Sequence, residues 1–297
     1  MARLAFLGTP AVAVPALSRL VKAGHEVGLV VSRPDRRRGR GGDLSPSPVK
    51  AAAQALGLDV TSRLDDVLGV DAELGVVVAY GRIVPGRVLD VLPMLNVHFS
   101  LLPRWRGAAP VERAVLAGDE ETGVCLMRLD EGLDTGPVVA ARRVRIGENE
   151  PVDELGRRLS EVGASLLVEA LAGGVEALPE GDPQVGEPTH AAKIEPGELR
   201  IDWSKPATEL ARLVRLGRAW TTFRGRRLRV LRAVGSDAVP SEIGSAPGGT
   251  PGSLQGNAVL TGRGSLELLS VQPEGRAAMA TGDWLRGAKP RPEELLV

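Results

Sequence analysis

Short apolar segments alternate with helical segments through the first 180 residues, and this alternation constrains the fold more than any other feature. The apolar runs have the length and composition of buried strands, and they lie at 4–7, 25–31 and 75–79. Apolar residues at helical spacing predict helices over 12–21, 48–56, 84–92 and 151–178. Buried strands joined by helices are typical of a parallel sheet that is covered on both faces. We therefore expect a Rossmann-like α/β domain over residues 1–182.

The composition changes after this region. Residues 179–197 are rich in Pro, Gly and Glu and lose periodicity, which indicates a linker that we place at 183–199. Beyond it, one helix (207–216) precedes short strand patterns at 227–233, 258–260 and 266–271, separated by glycine-rich turns. We expect a small OB-like β-barrel over residues 200–297.

Several classes of protein are excluded by composition. A hydrophobic fraction of 43% with 25% charged residues is that of a globular chain, not a disordered one. The apolar run Leu4–Leu7 is too short for an export signal, and no run is long enough for a membrane helix. We therefore expect a cytoplasmic protein with no membrane partner.

Cofactor signals are also missing from the sequence. Three widely separated histidines and one cysteine offer no metal-ligand spacing, so we expect no metal. The first strand is followed by Gly8-Thr9-Pro10, with a single glycine, so a dinucleotide cofactor is not supported.

The net charge of zero hides two basic stretches. Residues 33–42 hold five arginines against Asp35, and residues 200–232 hold ten basic residues against two acidic ones. A basic stretch is most often a solvated face, but two of them favour a polyanionic partner.

Polar side chains at the end of one predicted strand indicate chemistry. Asn96 and His98 are two residues apart, so both side chains point to the same face of an extended strand. A glycine-flanked turn at 130–136 carries carboxylates after another strand-like segment, and an aspartate beside His98 would orient the ring and favour its imidazolium form.

An amide, an imidazole and a carboxylate can transfer an acyl group without a covalent intermediate, because the first two stabilise the oxyanion. The alternative is a purely structural histidine at a strand end. The single Asp-Thr-Gly at 134–136 does not support an aspartic protease, which needs two such carboxylates.

The sequence resembles the methionyl-tRNA formyltransferase family over residues 4 to about 280. The matching segments include Asn96-Val97-His98, Ser100–Pro103, Arg104–Pro110, the Asp-x-Gly-x-Asp-Thr-Gly of 130–136, Ser45–Lys50 and Arg200–Ser204. Phe99 departs from the pattern, since a small residue is expected between His98 and Ser100; it could crowd the donor pocket or pack into the core.

The resemblance implies transfer of the formyl group of 10-formyltetrahydrofolate, a co-substrate, to the α-amino group of initiator methionyl-tRNA. It assigns catalysis to Asn96, His98 and Asp134. On physical grounds, Asn96 and protonated His98 would stabilise the oxyanion and Asp134 would raise the pKa of His98, while the sequence leaves open whether His98 acts as a proton acceptor or as a fixed positive charge. It assigns folate binding to Ser100, Leu101, Leu102 and Pro103. It assigns tRNA binding to the basic loop, for which we select Arg36, Arg38 and Arg40, with Arg40 against the first base pair of the acceptor stem.

We expect a monomer. Two alternatives to this function remain open. One is another formyltetrahydrofolate-dependent transferase acting on a small amine, such as glycinamide ribonucleotide or a nucleotide amino sugar. The other is a non-catalytic tRNA-binding protein with the same fold.

Overall fold

A computed structural model of the chain describes residues 1–38, 42–236 and 249–297. These residues divide into two compact units. The first comprises Met1–Val111, Glu121–Arg145 and Gly156–Ala192, and the second comprises Glu112–Glu120, Ile146–Leu155 and Lys193–Val297. The boundaries at 182 and 199 stay a prediction.

The strands up to residue 192 are short, as the sequence predicts. They are β1 (Arg3–Gly8), β2 (Glu26–Val31), β3 (Arg36–Arg38), β4 (Asp43–Ser45), β5 (Val60–Thr61), β6 (Leu74–Val78), β7 (Met94–His98), β8 (Arg106–Gly107), β9 (Glu121–Arg128), β10 (Val138–Arg145) and β11 (His190–Ala191). The helices are α1 (Val14–Lys22), α2 (Pro48–Ala55), α3 (Gly86–Leu89), α4 (Pro110–Ala117) and α5 (Val152–Ala170).

Seven of these strands form one sheet in the order β10-β9-β7-β6-β1-β2-β5. The pairings from β7 to β5 are parallel, whereas β9 and β10 are antiparallel to their neighbours. The Rossmann-like parallel sheet is therefore confirmed, with an antiparallel pair added at one edge. β10 was not predicted, because its sequence contains three arginines and its residues are half-buried or exposed.

The apolar runs form the core because each strand is covered by apolar side chains. All five residues of β6 are buried, and one face packs Leu7, Val31, Val77 and Met94 against Val88. On α5, a Cβ added at Gly163 would lie 2.8 Å from Val97 and 3.7 Å from Phe99, so the helix backbone approaches the sheet closely. Phe99 packs against this helix, in agreement with the core alternative for that residue.

The second unit contains an antiparallel sheet. Its strands are β12 (Trp220–Phe223), β13 (Arg226–Ser236), β14 (Leu254–Gln255), β15 (Ala258–Leu260), β16 (Ser265–Pro273) and β17 (Met279–Ala280). The helices that follow Lys193 are α6 (Ala207–Val214) and α7 (Thr281–Ala288). The sheet order is β12-β13-β16-β15-β14, with β17 paired to β16.

Aromatic residues fill the core of this sheet. The rings of Phe223 and Trp284 meet edge to face at 5.3 Å, and Trp203 donates a hydrogen bond to Thr221. The antiparallel β domain is confirmed. α7 was not predicted from the sequence, because its apolar residues are few.

Candidate active site

The interior position of β7 in the sheet fixes two of the predicted residues. β7 pairs with β6 on one side and β9 on the other, so its backbone is held on both edges. Asn96 and His98 are alternate residues of this strand and share a face, as predicted. Asn96 is half-buried, and His98 is buried.

The turn after β9 brings Asp134 to the same place. Its conformation is held by Asp130, which accepts hydrogen bonds from the Gly132 amide and the Thr135 hydroxyl. Asp134 itself has φ of +54°, a left-handed conformation that non-glycine residues rarely adopt. This conformation is one of the locally strained geometries that cluster at functional sites.

The carboxylate of Asp134 contacts both residues of β7. Asn96 Nδ2 donates to Asp134 Oδ1 at 3.4 Å, and Asp134 Oδ2 lies 3.6 Å from His98 Nδ1. The same Oδ2 accepts a hydrogen bond of 2.8 Å from the amide of Gly107. The structure therefore brings together the amide, the imidazole and the carboxylate that the sequence selected.

The second ring nitrogen of His98 also faces the protein. Nε2 donates to the carbonyl of Trp105 at 2.9 Å, and since a carbonyl can only accept, Nε2 carries a proton. In the neutral ring Nδ1 is then the unprotonated nitrogen, and it faces Asp134.

Burial of His98 lowers its pKa below the ordinary value of 6.5, because desolvation disfavours the charged ring. Asp134 and the Trp105 carbonyl act in the opposite direction and raise the pKa, but they are the smaller effects. The expectation of a resident imidazolium is corrected: Asp134 acts in the expected direction, and burial outweighs it.

The loop between β7 and β8 contains the segment predicted to bind folate. Ser100 is fully buried, and its hydroxyl donates to the Arg104 carbonyl at 2.5 Å, so this side chain is engaged within the loop. Leu102 and Pro103 are joined by a cis peptide bond. Leu101 packs beside Gly123, where an added Cβ would lie 2.5 Å from it. Folate binding by this segment stays a prediction.

Strand β8 follows this loop and ends at Gly107, a position where any other residue would be strained. Gly107 has φ of +120°, and a Cβ placed there would lie 2.9 Å from the carbonyl oxygen of Ala191. This close approach belongs to the parallel pairing of β8 with β11. The pairing places the Gly107 amide, which donates to Asp134.

Sequence reasoning missed Gln184 and Thr189, which lie in the segment interpreted as a linker. Gln184 bonds to the backbone of the Asp134 turn and to the guanidinium of Arg106. The Thr189 hydroxyl accepts a hydrogen bond of 2.8 Å from the amide of Trp105. The segment has no periodicity, and its polar residues offered no signal of a specific partner.

Two of the predicted tRNA-binding arginines, Arg36 and Arg38, lie in strand β3 of the β3–β4 hairpin. Arg36 is exposed and pairs across to Ser45, and the backbone of Arg38 pairs with Asp43. Arg40 lies outside the described residues. At the base of the hairpin, Lys50 contacts both carboxylate oxygens of Asp35 at 2.9 Å.

In the described part of the chain, no helix is long and apolar enough to cross a membrane. Within 1–38, 42–236 and 249–297, no group of three or more His, Cys, Asp or Glu side chains could hold a metal ion.

Comparisons with known proteins agree with this geometry. The family model described as formyl transferase matches residues 2–171, and the model of the formyl transferase C-terminal domain matches residues 193–289. The fold is therefore that of a formyl transferase. Methionyl-tRNA formyltransferase of Dinoroseobacter shibae is 46% identical over 299 residues, which cover 96% of this chain and 97% of the relative. The chain belongs to the methionyl-tRNA formyltransferase family, and the resemblance seen in the sequence is confirmed.

Solved structures share the fold at lower identity. HypX from Aquifex aeolicus, in complex with tetrahydrofolic acid, has a TM-score of 0.64 and 19% identity over 96% of this chain, which spans 47% of HypX. The N-formyltransferase from Helicobacter canadensis, in complex with folinic acid and dTDP-3-aminofucose, has a TM-score of 0.68 and 17% identity. It covers 92% of this chain and 100% of its own.

Proposed function

We propose that this chain transfers the formyl group of 10-formyltetrahydrofolate to the α-amino group of methionine on initiator tRNA. The observation that carries the proposal is the convergence of Asn96, His98 and Asp134 around one point, from a sheet strand and a turn 38 residues away. The identity of 46% to a methionyl-tRNA formyltransferase over nearly the whole chain supports the choice of substrates.

The proposed reaction is direct attack by the neutral amine on the formyl carbon. A bond forms between the amine nitrogen and the formyl carbon, the bond from that carbon to N10 of the folate breaks, and the proton lost by the amine ends on N10. Negative charge develops on the formyl oxygen in between. A site that stabilises this charge needs hydrogen-bond donors, and removing one such donor typically costs about 10²- to 10³-fold in rate.

Asn96 and His98 are the proposed donors. Asn96 Nδ2 carries two hydrogens, and its bond to Asp134 at 3.4 Å uses one of them, which leaves the other for the substrate. His98 Nε2 donates to the Trp105 carbonyl in this structure. We infer that the formyl oxygen replaces that carbonyl as the acceptor when the substrates bind.

Asp134 is proposed to stabilise charge on His98 as the reaction proceeds. Burial keeps the pKa of His98 low, so the ring starts neutral with Nδ1 unprotonated. Nδ1 would take the proton that the amine loses as the oxyanion forms, and would pass it to N10 when the bond from the formyl carbon to N10 breaks. The carboxylate 3.6 Å from Nδ1 favours that change.

Substrate binding is proposed for the two segments selected from the sequence. The backbone of Ser100, Leu101, Leu102 and Pro103 would meet the folate, since the Ser100 hydroxyl is engaged with Arg104. Arg36, Arg38 and Arg40 would contact the acceptor end of the tRNA. We also propose that the protein acts as a monomer in the cytoplasm, where charged initiator tRNA is used.

The test is incubation with 10-formyltetrahydrofolate and charged initiator tRNA, followed by release and identification of the amino acid. Formylmethionine in wild type, and a loss of at least 10²-fold in His98→Ala with tRNA affinity within a few fold, are the expected results. Formylation of a nucleotide amino sugar in place of the tRNA would favour the small-amine alternative. Binding of tRNA without any transfer would favour the non-catalytic alternative.

The role of Arg40 has its own test. Arg40→Ala should reduce the ratio of kcat/KM for tRNA with a mismatched first base pair to that for tRNA with a G·C pair, because a weak pair is easily opened. An unchanged ratio would remove Arg40 from initiator selection.

A further inference from the structure

We propose that Gln184 is a positioning residue, which fixes the Asp134 turn against the β7–β8 loop and so sets the geometry of the three reacting groups. The inference rests on the proposed function, and it assigns a part in that reaction to a segment that looks like a linker in the sequence.

The amide of Gln184 bonds at both ends. Its Nε2 donates to the carbonyl of Asp134 at 2.9 Å and to the carbonyl of Gly136 at 2.8 Å. Its Oε1 accepts from Arg106 Nε at 3.0 Å and from a second guanidinium nitrogen at 2.6 Å. Two donor hydrogens and two acceptor lone pairs are all an amide possesses, so the half-buried side chain is saturated.

These four bonds join two loops that otherwise meet at the reacting groups. At one end, Gln184 Nε2 donates to the carbonyl of Asp134 and so holds the turn that carries this residue. The other end holds Arg106, whose neighbour Gly107 donates its amide to Asp134 Oδ2. Gln184 therefore closes a ring of contacts that runs from the Asp134 backbone through Arg106 and Gly107 to the Asp134 carboxylate.

The residues around Gln184 are themselves attached to both loops. Asp182 exchanges two backbone hydrogen bonds with Val138, at 2.8 and 2.9 Å, just beyond the turn. Thr189 accepts from the Trp105 amide with its hydroxyl and from the Arg106 amide with its carbonyl. Residues 182–191 are thus anchored on either side of Gln184, so its amide is presented at a fixed place.

Asp134 needs such support because its backbone is in the left-handed region, with φ of +54°. A non-glycine residue holds that conformation only where its surroundings enforce it. The carboxylate also has to stay within hydrogen-bond reach of Asn96 and Gly107, and a displacement of about 1 Å at a reacting group can cost about 10²-fold in rate.

Steady-state kinetics of Gln184→Leu test the proposal. This variant keeps the size of the side chain and loses all four hydrogen bonds. We expect kcat to fall by about 10- to 100-fold, with KM for both substrates within about threefold of wild type. The reason is that the Gln184 side chain bonds to Arg106, Asp134 and Gly136, none of which is proposed to bind a substrate. The matched control is Val185→Ala, which changes the adjacent side chain, 87% exposed, and should leave both constants unchanged. A change in KM alone would overturn the proposal.

Gln184→Glu separates positioning of the Asp134 turn from simple anchoring of Arg106. The carboxylate would still accept from the Arg106 guanidinium, but it cannot donate to the carbonyls of Asp134 and Gly136. We expect kcat to fall as far as in Gln184→Leu. Wild-type kcat in Gln184→Glu would show that only the Arg106 contact matters, which would overturn the proposal.

A double-mutant cycle shows whether Gln184 acts through Asp134. In the Asp134→Asn background, Gln184→Leu should reduce kcat by less than about threefold further, since the carboxylate it positions is already gone. Full additivity of the two losses would refute an action through Asp134.

Amide hydrogen exchange tests the same idea without any turnover. The Gly107 amide donates to Asp134 Oδ2 and should exchange at least tenfold faster in Gln184→Leu and in Gln184→Glu, but not in Val185→Ala. Unchanged exchange at Gly107 in both Gln184 variants would overturn the proposal. This holds even if one variant has a lower free energy of unfolding than wild type. An absence of formyl transfer by wild type would refute the proposed function, whereas the exchange result would still decide whether Gln184 holds the turn.

Discussion

Replacing Asp134 with asparagine removes one charge and almost no volume, so its main effect is on the electrostatic part of the proposed mechanism. The carboxylate lies 3.6 Å from His98 Nδ1, and both side chains are largely buried, with 6% of His98 and 12% of Asp134 exposed. The asparagine can still accept from the Gly107 amide with its oxygen. Its NH₂ group then faces the NH₂ group of Asn96, so that residue loses its acceptor.

The size of the effect follows from the distance. A unit charge 3.6 Å from a charge developing on the ring contributes about 4.6 kcal/mol at an effective dielectric constant of about 20. At 1.36 kcal/mol for each factor of ten, complete loss of this attraction in the transition state corresponds to about 10³-fold in rate. The ground state is little affected, because burial keeps the ring neutral there.

The assay is single-turnover formylation of saturating methionyl-tRNA at pH 7. We expect the rate of Asp134→Asn to be about 10³-fold below wild type, with tRNA affinity within a few fold. Asp90→Asn, at an exposed position on the same unit, is the control and should match wild type. In a His98→Gln background the Asp134→Asn change should cost less than tenfold. An equal loss in both backgrounds, or a loss below tenfold in wild type, would refute the action of Asp134 through His98.

Three further outcomes follow from the same structure. The ring protons of His98 should titrate with a midpoint below 6.5 in NMR, and a midpoint above 6.5 would contradict the dominance of burial. Because the unfolded chain then binds this proton at a higher pH than the folded chain does, His98 should lower the free energy of unfolding as pH falls below about 6.5. Gly107→Ala should destabilise the protein by about 1–3 kcal/mol, seen as a lower midpoint of thermal unfolding, because its Cβ would meet the carbonyl of Ala191; an unchanged midpoint would contradict this. Arg36→Ala should reduce the slope of log Kd for tRNA against log salt by about one, and Arg63→Ala, on an exposed side chain elsewhere, should not.

Much of the fold could be predicted because local patterns of apolar residues indicate its strands and helices. The strand over 75–79 is β6 displaced by one residue, and the strand over 258–260 is β15 with the same bounds. The helix over 84–92 shrinks to the four residues of α3, because apolar spacing also occurs in irregular segments that pack on a core. β10 could not be predicted, because its exposed arginines leave no apolar pattern that would indicate a strand paired with β9.

The candidate site likewise has a part that the sequence predicts and a part that it does not. Asn96 and His98 are two residues apart on one strand, so their shared face follows from the sequence alone. Gln184 contacts partners that are 48 and 50 residues away, and β11 reaches β8 across 84 residues, through a pairing of two residues on each strand. No local period encodes contacts of that kind, so part of the predicted linker, residues 183–191, contacts both loops of the candidate site.

The protonation state of His98 is the point where sequence and structure differ most usefully. The neighbouring carboxylate is visible in the sequence and predicts a charged ring, whereas burial depends on the whole fold and keeps the ring neutral. A resident imidazolium beside Asp134 would form a satisfied ion pair, and its further interaction with an oxyanion would be partly compensated before the reaction begins. A neutral ring that takes the amine's proton on Nδ1 only as the formyl oxygen becomes negative interacts more strongly with the transition state than with the ground state, which is what raises kcat. Burial and the carboxylate therefore act on different stages of one event: burial sets the starting charge of His98, and Asp134 sets how readily it changes.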